Sequence, residues 1–418
     1  MALVVTKFGG SSVGSTERIM NVARRLVARK EAGDSVVAVL SAMGDVTDEL
    51  VSLAAAISDN PPEREMDMLL ATGEQVSIAL LAMAIHSLGH DAVSFTGAQV
   101  GIVTDPTHTK AKITEVKADR VREALAQGKI VIAAGFQGMT PDGTITTLGR
   151  GGSDTTAVAV AAGVDADVCE IFTDVDGVYS ADPRICPAAR KIDVISYDEM
   201  LEMAASGAGV LQLRSVEFAR SHGVVIHCRS SFNDRLGTIV KEADDTMEQA
   251  IISGVTHDTS EAKITIRDVP DQPGVAADVF TRMAEANVNV DMIIQNVSED
   301  GTTDISFTSP KTDLPRARPA VEAVVRDLGA RDFSIDESIA KVSLVGAGMK
   351  THPGVAAQMF RCLAEAGVNI DMISTSSIRI SCVVEGDKVE AAVRALHTSF
   401  GLDSDAVIAE VAPGWGEE

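Results

Sequence analysis

Aromatic residues make up only 3% of this 418-residue chain, with one tryptophan and two tyrosines. So few ring faces leave little on which bases could stack. Basic residues are short as well: 36 lysines and arginines stand against 60 acidic residues, a net charge of −24. Affinity for nucleic acid rests on phosphate contacts and needs basic surface, so no nucleic-acid partner is expected. The same charge opposes anionic small molecules until salt screens it beyond about 10 Å, so an anion site here needs local cations, amide dipoles or Mg²⁺. The five cysteines, Cys169, Cys186, Cys228, Cys362 and Cys382, show no C-x-x-C spacing. They read as reduced, mostly buried thiols of a cytoplasmic protein. No apolar run reaches the ~18 residues that span a bilayer, and no basic leader precedes the first strand, so neither a membrane nor export is expected. Walker A and H-E-x-x-H patterns are missing too, and the zinc-like spacing of His86 and His90 is broken by Gly89. No metal site built from protein ligands is expected.

What is present organises around Lys7-Phe8-Gly9-Gly10-Ser11-Ser12, behind the apolar run Leu3-Val4-Val5 and ahead of a helical pattern that starts near Ser15. A lysine at the carboxyl end of a strand, followed by glycines and hydroxyls, suits a phosphate. The backbone can come close, its N–H groups face the oxygens and the lysine supplies charge. Residues 36–40 read as a buried strand ending in Ser41-Ala42-Met43-Gly44, with Thr47 just beyond. Residues 64–88 read as a helix interrupted at Thr72-Gly73-Glu74, where Glu74 by itself is a solvated helix charge. Short strands are expected at 92–95, 101–103 and 130–134, and a helix at 114–127. This alternation implies a mostly parallel sheet sandwiched by helices, with ligands at the carboxyl ends of its strands.

Gly149-Arg150-Gly151-Gly152-Ser153-Asp154 opens a further helix, which Ser153 can cap. An arginine fork beside a helix N-terminus clamps carboxylate or phosphate. Behind a strand at 168–172, Thr173, Asp174, Asp176, Tyr179, Asp182 and Arg184 either hold a nucleotide's polar groups or are turn residues. A last strand of this part falls at 224–226, and 241–246 reads as a linker. Gly10-Ser11-Ser12-Val13-Gly14 also fits a hydrolase nucleophile elbow, but on the first strand and without an H-G-G-G element.

The last third repeats at an offset of eighty residues. Pro273-Gly274-Val275 and Asn289-Val290-Asp291-Met292-Ile293 return as Pro353-Gly354-Val355 and Asn369-Ile370-Asp371-Met372-Ile373. Each copy reads as a strand (263–267; 341–345), a Pro-Gly turn, a helix and another strand, with a hairpin signal at 299–301. Two small α+β modules of βαββαβ type follow, explained by plain duplication or by a small ligand at the Pro-Gly turns.

The ordered set Lys7 to Ser12, Thr72-Gly73-Glu74, Arg150 to Thr156 and Thr173 to Tyr179, followed by two ACT-like modules, resembles the aspartokinases of the amino-acid kinase superfamily over essentially the whole chain. The resemblance implies an amino-acid kinase domain over 1–245, a linker over 246–262, and ACT domains over 263–337 and 338–418. Because one ACT module is often inserted in the other, 251–255 would join the second module's sheet. The implied reaction is ATP-dependent phosphorylation of the L-aspartate side chain to 4-phospho-L-aspartate, the first step towards lysine, threonine, methionine and diaminopimelate. A carboxylate nucleophile is already ionised and needs no base, so catalysis reduces to positioning and charge neutralisation.

By resemblance, Lys7, Arg150 and Asp174 are catalytic, and Gly9, Gly10, Ser11, Thr173, Tyr179, Asp182 and Arg184 join them around ATP. Mg²⁺ is held mainly by nucleotide oxygens and water. Ser41, Thr47, Glu74, Gly151, Gly152, Ser153 and Asp154 face the substrate; Glu74 takes its ammonium and Arg150 its α-carboxylate. Lysine and/or threonine would act as effectors through Asp271, Gly274, Val275, Asn289, Val290, Asp291 and Gln295, and through Asn369, Ile370 and Asp371. Assembly through the ACT domains is expected, with Met247 able to start a separate 247–418 regulatory subunit. The rivals are a kinase of glutamate, acetylglutamate or UMP, and a non-catalytic amino-acid sensor, which would have no use for Lys7, Arg150 and Asp174.

Overall fold

The computed structural model describes residues 2–243, 252–297, 301–352 and 354–403. An eight-stranded sheet runs in the order Val194–Ser196, Thr238–Lys241, Ile226–Ser230, Val168–Thr173, Leu3–Phe8, Ser35–Leu40, Ile130–Ala134, Ala92–Phe95. Every neighbouring pair is parallel except Ile226–Ser230 with Thr238–Lys241. Central parallel strands are covered on both faces, which is why they read as continuous apolar runs. On one face Phe8, Val36, Ala38 and Leu40 pack under the helices Thr16–Glu31 and Glu63–Ser87. On the other, Val5, Val37, Val39 and Val131 pack under Gly152–Gly163, Asp119–Ala126, Tyr197–Ala205 and Leu213–His222. The first strand sits between the second and Val168–Thr173, so the chain order reverses there. That is where an open α/β sheet leaves a crevice.

Several local expectations fail for identifiable reasons. The helix at 114–127 is a strand, Ile113–Val116, paired with Ile102–Thr104, and a shorter helix, Asp119–Ala126. The helix Glu63–Ser87 is unbroken, and Gly73 marks an approach instead: a Cβ there would lie 2.9 Å from the Ala42 side chain. Gly10–Val13 forms a helical turn rather than an open loop. Ser153 does not cap its helix; Gly151 does so with φ +72°, a conformation that favours glycine. Ile226–Ser230 is not the last strand, since Thr238–Lys241 turns back beside it. By length and composition Glu63–Ser87 could cross a membrane, yet half of its apolar window is buried in the fold.

The C-terminal part holds two four-stranded antiparallel sheets. One comprises Ile293–Val297, Thr302–Pro310, Glu261–Pro270 and Asp332–Asp336. The other comprises Gly254–Asp258, Ile339–Val345, Arg379–Glu385 and Met372–Thr375. The strand Gly254–Asp258 therefore precedes one sheet in sequence and belongs to the other. Gly274 (φ +100°) and Gly354 (φ +106°) start the paired helices Val275–Glu285 and Val355–Glu365. Met247, Glu299, Asp300 and Pro353 lie outside the described residues.

Candidate active site

Lys7 leaves the first strand towards the Gly152–Gly163 helix, where its Nζ lies 2.6 Å from Asp154 Oδ1. Gly10 has no room for a side chain, since a Cβ would sit 3.0 Å from Ala42 O and 3.1 Å from Gly44 O. The Gly44 N–H donates to Gly10 O at 3.1 Å, so the 41–44 loop lies directly on the glycine turn. Half-buried Ser41 extends the sheet, its N–H bonding Phe8 O at 3.1 Å, and half-buried Thr47 sits in the first turn of Val46–Ile57. Gly135 packs against Ser153, whose Oγ would be 2.7 Å from an added Cβ. Lys7, Gly9, Gly10, Ser41, Ser153 and Asp154 thus converge on the sheet's reversal point, with Ser11 exposed beside them. Ser12 is buried and hydrogen-bonded to the Ser231 hydroxyl at 2.6 Å, unlike the exposed nucleophile of a hydrolase elbow.

Glu74 corrects the reading of a solvated helix charge. It is 3% exposed, and its Oε1 accepts from the Ala42 N–H at 3.1 Å. Its Oε2 is buried without a hydrogen-bond partner. Burial pushes its pKa up to about 7, against the lowering pull of backbone hydrogen bonds. Such a carboxyl group is prepared for a cation.

Thr173, Asp174, Tyr179, Asp182 and Arg184 line a separate cavity of about 370 Å³ at the end of Val168–Thr173. The Thr173 hydroxyl donates to Asp174 at 2.9 Å. Burial alone would raise the Asp182 pKa, but the Arg184 fork, 2.6 Å away, holds it below the usual carboxylate range. Asp176 lines the cavity as well, and its carboxylate accepts from Asn233 and Arg235. Sequence reasoning missed the opposite wall, formed by Gly207-Ala208-Gly209-Val210 and by Val255, Thr256 and His257. The signal was the Gly-x-Gly run: Gly207 has φ +106°, and a Cβ there would lie 1.9 Å from His257 O.

Arg150 stands apart, exposed and without a hydrogen bond or ion pair among the described residues. Gly151 and Gly152 have packing reasons of their own, since added Cβ atoms would strike Gln212 at 2.3 Å and Leu148 and Phe136 at 2.9 Å. Of the proposed effector residues, Asp271, Gly274, Asn289, Gln295 and Asn369 are exposed, while Val275, Val290 and Ile370 are half-buried. Asp291 and Asp371 are engaged across the two modules: Asp291 pairs with Lys341 at 2.7 Å, and Asp371 with Lys263. All five cysteines are free and buried.

Comparison with known proteins places this geometry. The amino acid kinase family matches residues 2–230, and ACT domains match 264–329 and 342–400. An aspartokinase from Mycolicibacterium smegmatis is 57% identical over 415 residues, covering 98% of this chain and 99% of that protein. The solved structure of E. coli aspartokinase III with aspartate and ADP is 26% identical, with a TM-score of 0.81 over 95% of this chain and 99% of that one. The same enzyme with lysine and aspartate matches at 26% identity and a TM-score of 0.74, over 96% of this chain and 99% of that one.

Proposed function

The chain belongs to the amino acid kinase family, among its aspartokinases, and from that membership we propose that it transfers the γ-phosphoryl group of ATP to the side-chain carboxylate of L-aspartate. The products are 4-phospho-L-aspartate and ADP. The observation that carries this reading is Glu74, a buried acid with one unpartnered oxygen, held by Ala42 of the loop that packs on the Gly10 turn behind Lys7. It suits the ammonium of an amino acid, and the free fork of Arg150 suits the α-carboxylate. The β-carboxylate then attacks phosphorus: the new O–P bond forms as the bond to the ADP oxygen breaks, and no proton has to move. Lys7 offsets charge on the phosphoryl oxygens. The cavity around Thr173, Asp174, Tyr179, Asp182 and Arg184 has the size for a nucleoside.

Asp174 and the lysine-paired Asp154 offer few donors for a cation. That donor set suits Mg²⁺ held chiefly by nucleotide oxygens and water, where it would draw charge from the phosphates. The two ACT modules support feedback control by an amino acid. The lysine complex of the E. coli relative favours lysine, and threonine is the alternative effector. The product would then feed the synthesis of lysine, threonine, methionine and diaminopimelate.

The test is aspartyl hydroxamate formation from MgATP, aspartate and hydroxylamine, with and without lysine and threonine. Product from aspartate but not glutamate is expected, with inhibition by at least one effector. Saturable effector binding without any product would mark the chain as a sensor instead.

A further inference from the structure

Two turns before Glu74 on the same helix lies Asp67, a fully buried acid outside every motif read from the sequence. Seven residues of helix place the two acids on one face, roughly 10 Å apart along the axis. Asp67 gathers partners from two other stretches of chain. His108 Nδ1 lies 2.6 Å from it, the Thr109 N–H donates to both its oxygens at 3.1 and 3.2 Å, and the Thr147 hydroxyl donates at 2.5 Å. Thr109 holds φ +62°, a conformation costly for a β-branched residue and kept only where surroundings fix it. The two stretches are also tied to each other. Ala111 N–H donates to Thr147 O at 3.0 Å, and Arg214 bridges Leu148 O and Ala111 O at 2.7 and 2.6 Å. Gly149 then passes so close to Thr109 that a Cβ would sit 3.0 Å from its carbonyl. Arg150 is the next residue.

We propose that Asp67 is a positioning residue for substrate binding, anchoring the loop that carries Arg150 to the helix that carries Glu74. This rests on the reading of those two residues as the grips on aspartate's carboxylate and ammonium. Arg150 itself has no partner among the described residues, so nothing at its own side chain fixes where the guanidinium points. Its placement comes from the backbone, and the backbone is held at Thr147 and Thr109 by one carboxyl group. Misplacement of a clamp by about 1 Å is enough to cost a large factor in binding or rate.

The test uses the full-length enzyme and separate KM values for aspartate and ATP. Asp67→Asn and Thr147→Val should each raise the aspartate KM about tenfold while the ATP KM stays within about twofold. Thr147→Ser keeps the hydroxyl and should stay near the parent value. Asp67→Asn combined with Arg150→Ala should be little worse than Arg150→Ala alone, because both act through one grip. Folded variants with an unchanged aspartate KM, equal rises in both KM values, or losses that multiply with Arg150→Ala would each overturn the proposal. Should Asp67→Asn fail to fold, the Thr147 pair decides. A parent enzyme that makes no aspartyl hydroxamate would instead defeat the reading of the substrate, and this inference with it.

Discussion

A carboxyl group buried with an unpartnered oxygen weakens the fold that holds it, and Glu74 is such a group. Its folded pKa of about 7 lies above the ordinary glutamate value of 4.5, so the native state holds its proton more tightly than the unfolded chain. Stability is therefore lost as pH rises from 4.5 through about 7, by an amount on the order of 3 kcal/mol. Glu74→Gln should melt at a higher temperature than the parent at pH 8, and calorimetry reads this directly. Function runs the other way. Below about pH 7 the free enzyme holds Glu74 protonated and offers the ammonium no charge, so kcat/KM for aspartate should fall roughly tenfold per pH unit. The Gln variant should be weak and flat over the same range. Arg150 presents the opposite case, a free surface side chain whose loss should leave the melting temperature within about a degree. Removing a charged grip on the carboxylate corresponds to about 1.5–3 kcal/mol, so Arg150→Ala should lose roughly 10- to 100-fold in kcat/KM. Both residues were legible from the sequence as members of ordered motifs. The burial of Glu74 was not, because it is imposed by Ala42 from another element. Asp67 was invisible for the same reason, its partners lying about forty and eighty residues away.

At the scale of elements, the long apolar strands of the central sheet could be read directly, since burial on both faces leaves continuous Val, Ile and Ala runs. Some short elements could not, although Ala92–Phe95 and Ile102–Thr104 fall close to where strands are expected. Ile113–Val116 is strand because Ile102–Thr104 lies beside it, not because of its own pattern. The strand Gly254–Asp258, expected in the second module's sheet only from the family resemblance, is the most consequential of the short elements. It pairs with Ile339–Val345, its Val255 N–H bonds Ser180 O at 2.7 Å, and Val255, Thr256 and His257 line the cavity proposed for the nucleotide. One strand thus belongs to an ACT sheet and walls the cavity proposed for the nucleotide. Its backbone fits there only because Gly207 has no side chain. Gly207→Ala should cost at least about 1–3 kcal/mol from its left-handed backbone alone. Because the clash falls on His257, the KM for ATP should rise while that for aspartate changes little, which steady-state kinetics with each substrate varied would establish. An aspartate effect of equal size would mean that the strand does not serve the nucleotide side.

At the scale of the whole molecule, the repeat visible at eighty-residue spacing becomes a reciprocal pair of ion bridges, Lys263 to Asp371 and Lys341 to Asp291. Sequence spacing reveals two copies but cannot reveal that each copy's lysine crosses to the other's aspartate. Lys341 is almost wholly buried and also pairs with Glu261 at 2.7 Å. Burial works to lower its pKa, but the two acids outweigh that and hold it above the usual lysine value. The same modules reach the kinase part at Ser180, which binds Val255 and His397, at the Ala189–Asp403 bridge, and through the helix Tyr197–Ala205. Ser253 and the Ala347 N–H bind Glu199, Arg379 binds Glu202, and Met203 of that helix lines the cavity proposed for the nucleotide. A cationic effector is drawn to a chain of net charge −24, and its ammonium groups would compete with Lys341 and Lys263 for the same aspartates. Lys341→Met leaves Glu261 and Asp291 uncompensated, a loss of about 3–5 kcal/mol confined to the regulatory modules. The variant should therefore keep its turnover without effector within about twofold, while the lysine concentration for half-inhibition shifts by about tenfold or more. Inhibition curves for parent and variant, run beside calorimetric scans of each, would measure both. Unchanged inhibition in a variant whose regulatory modules melt earlier would separate the bridges' structural role from any part in signalling.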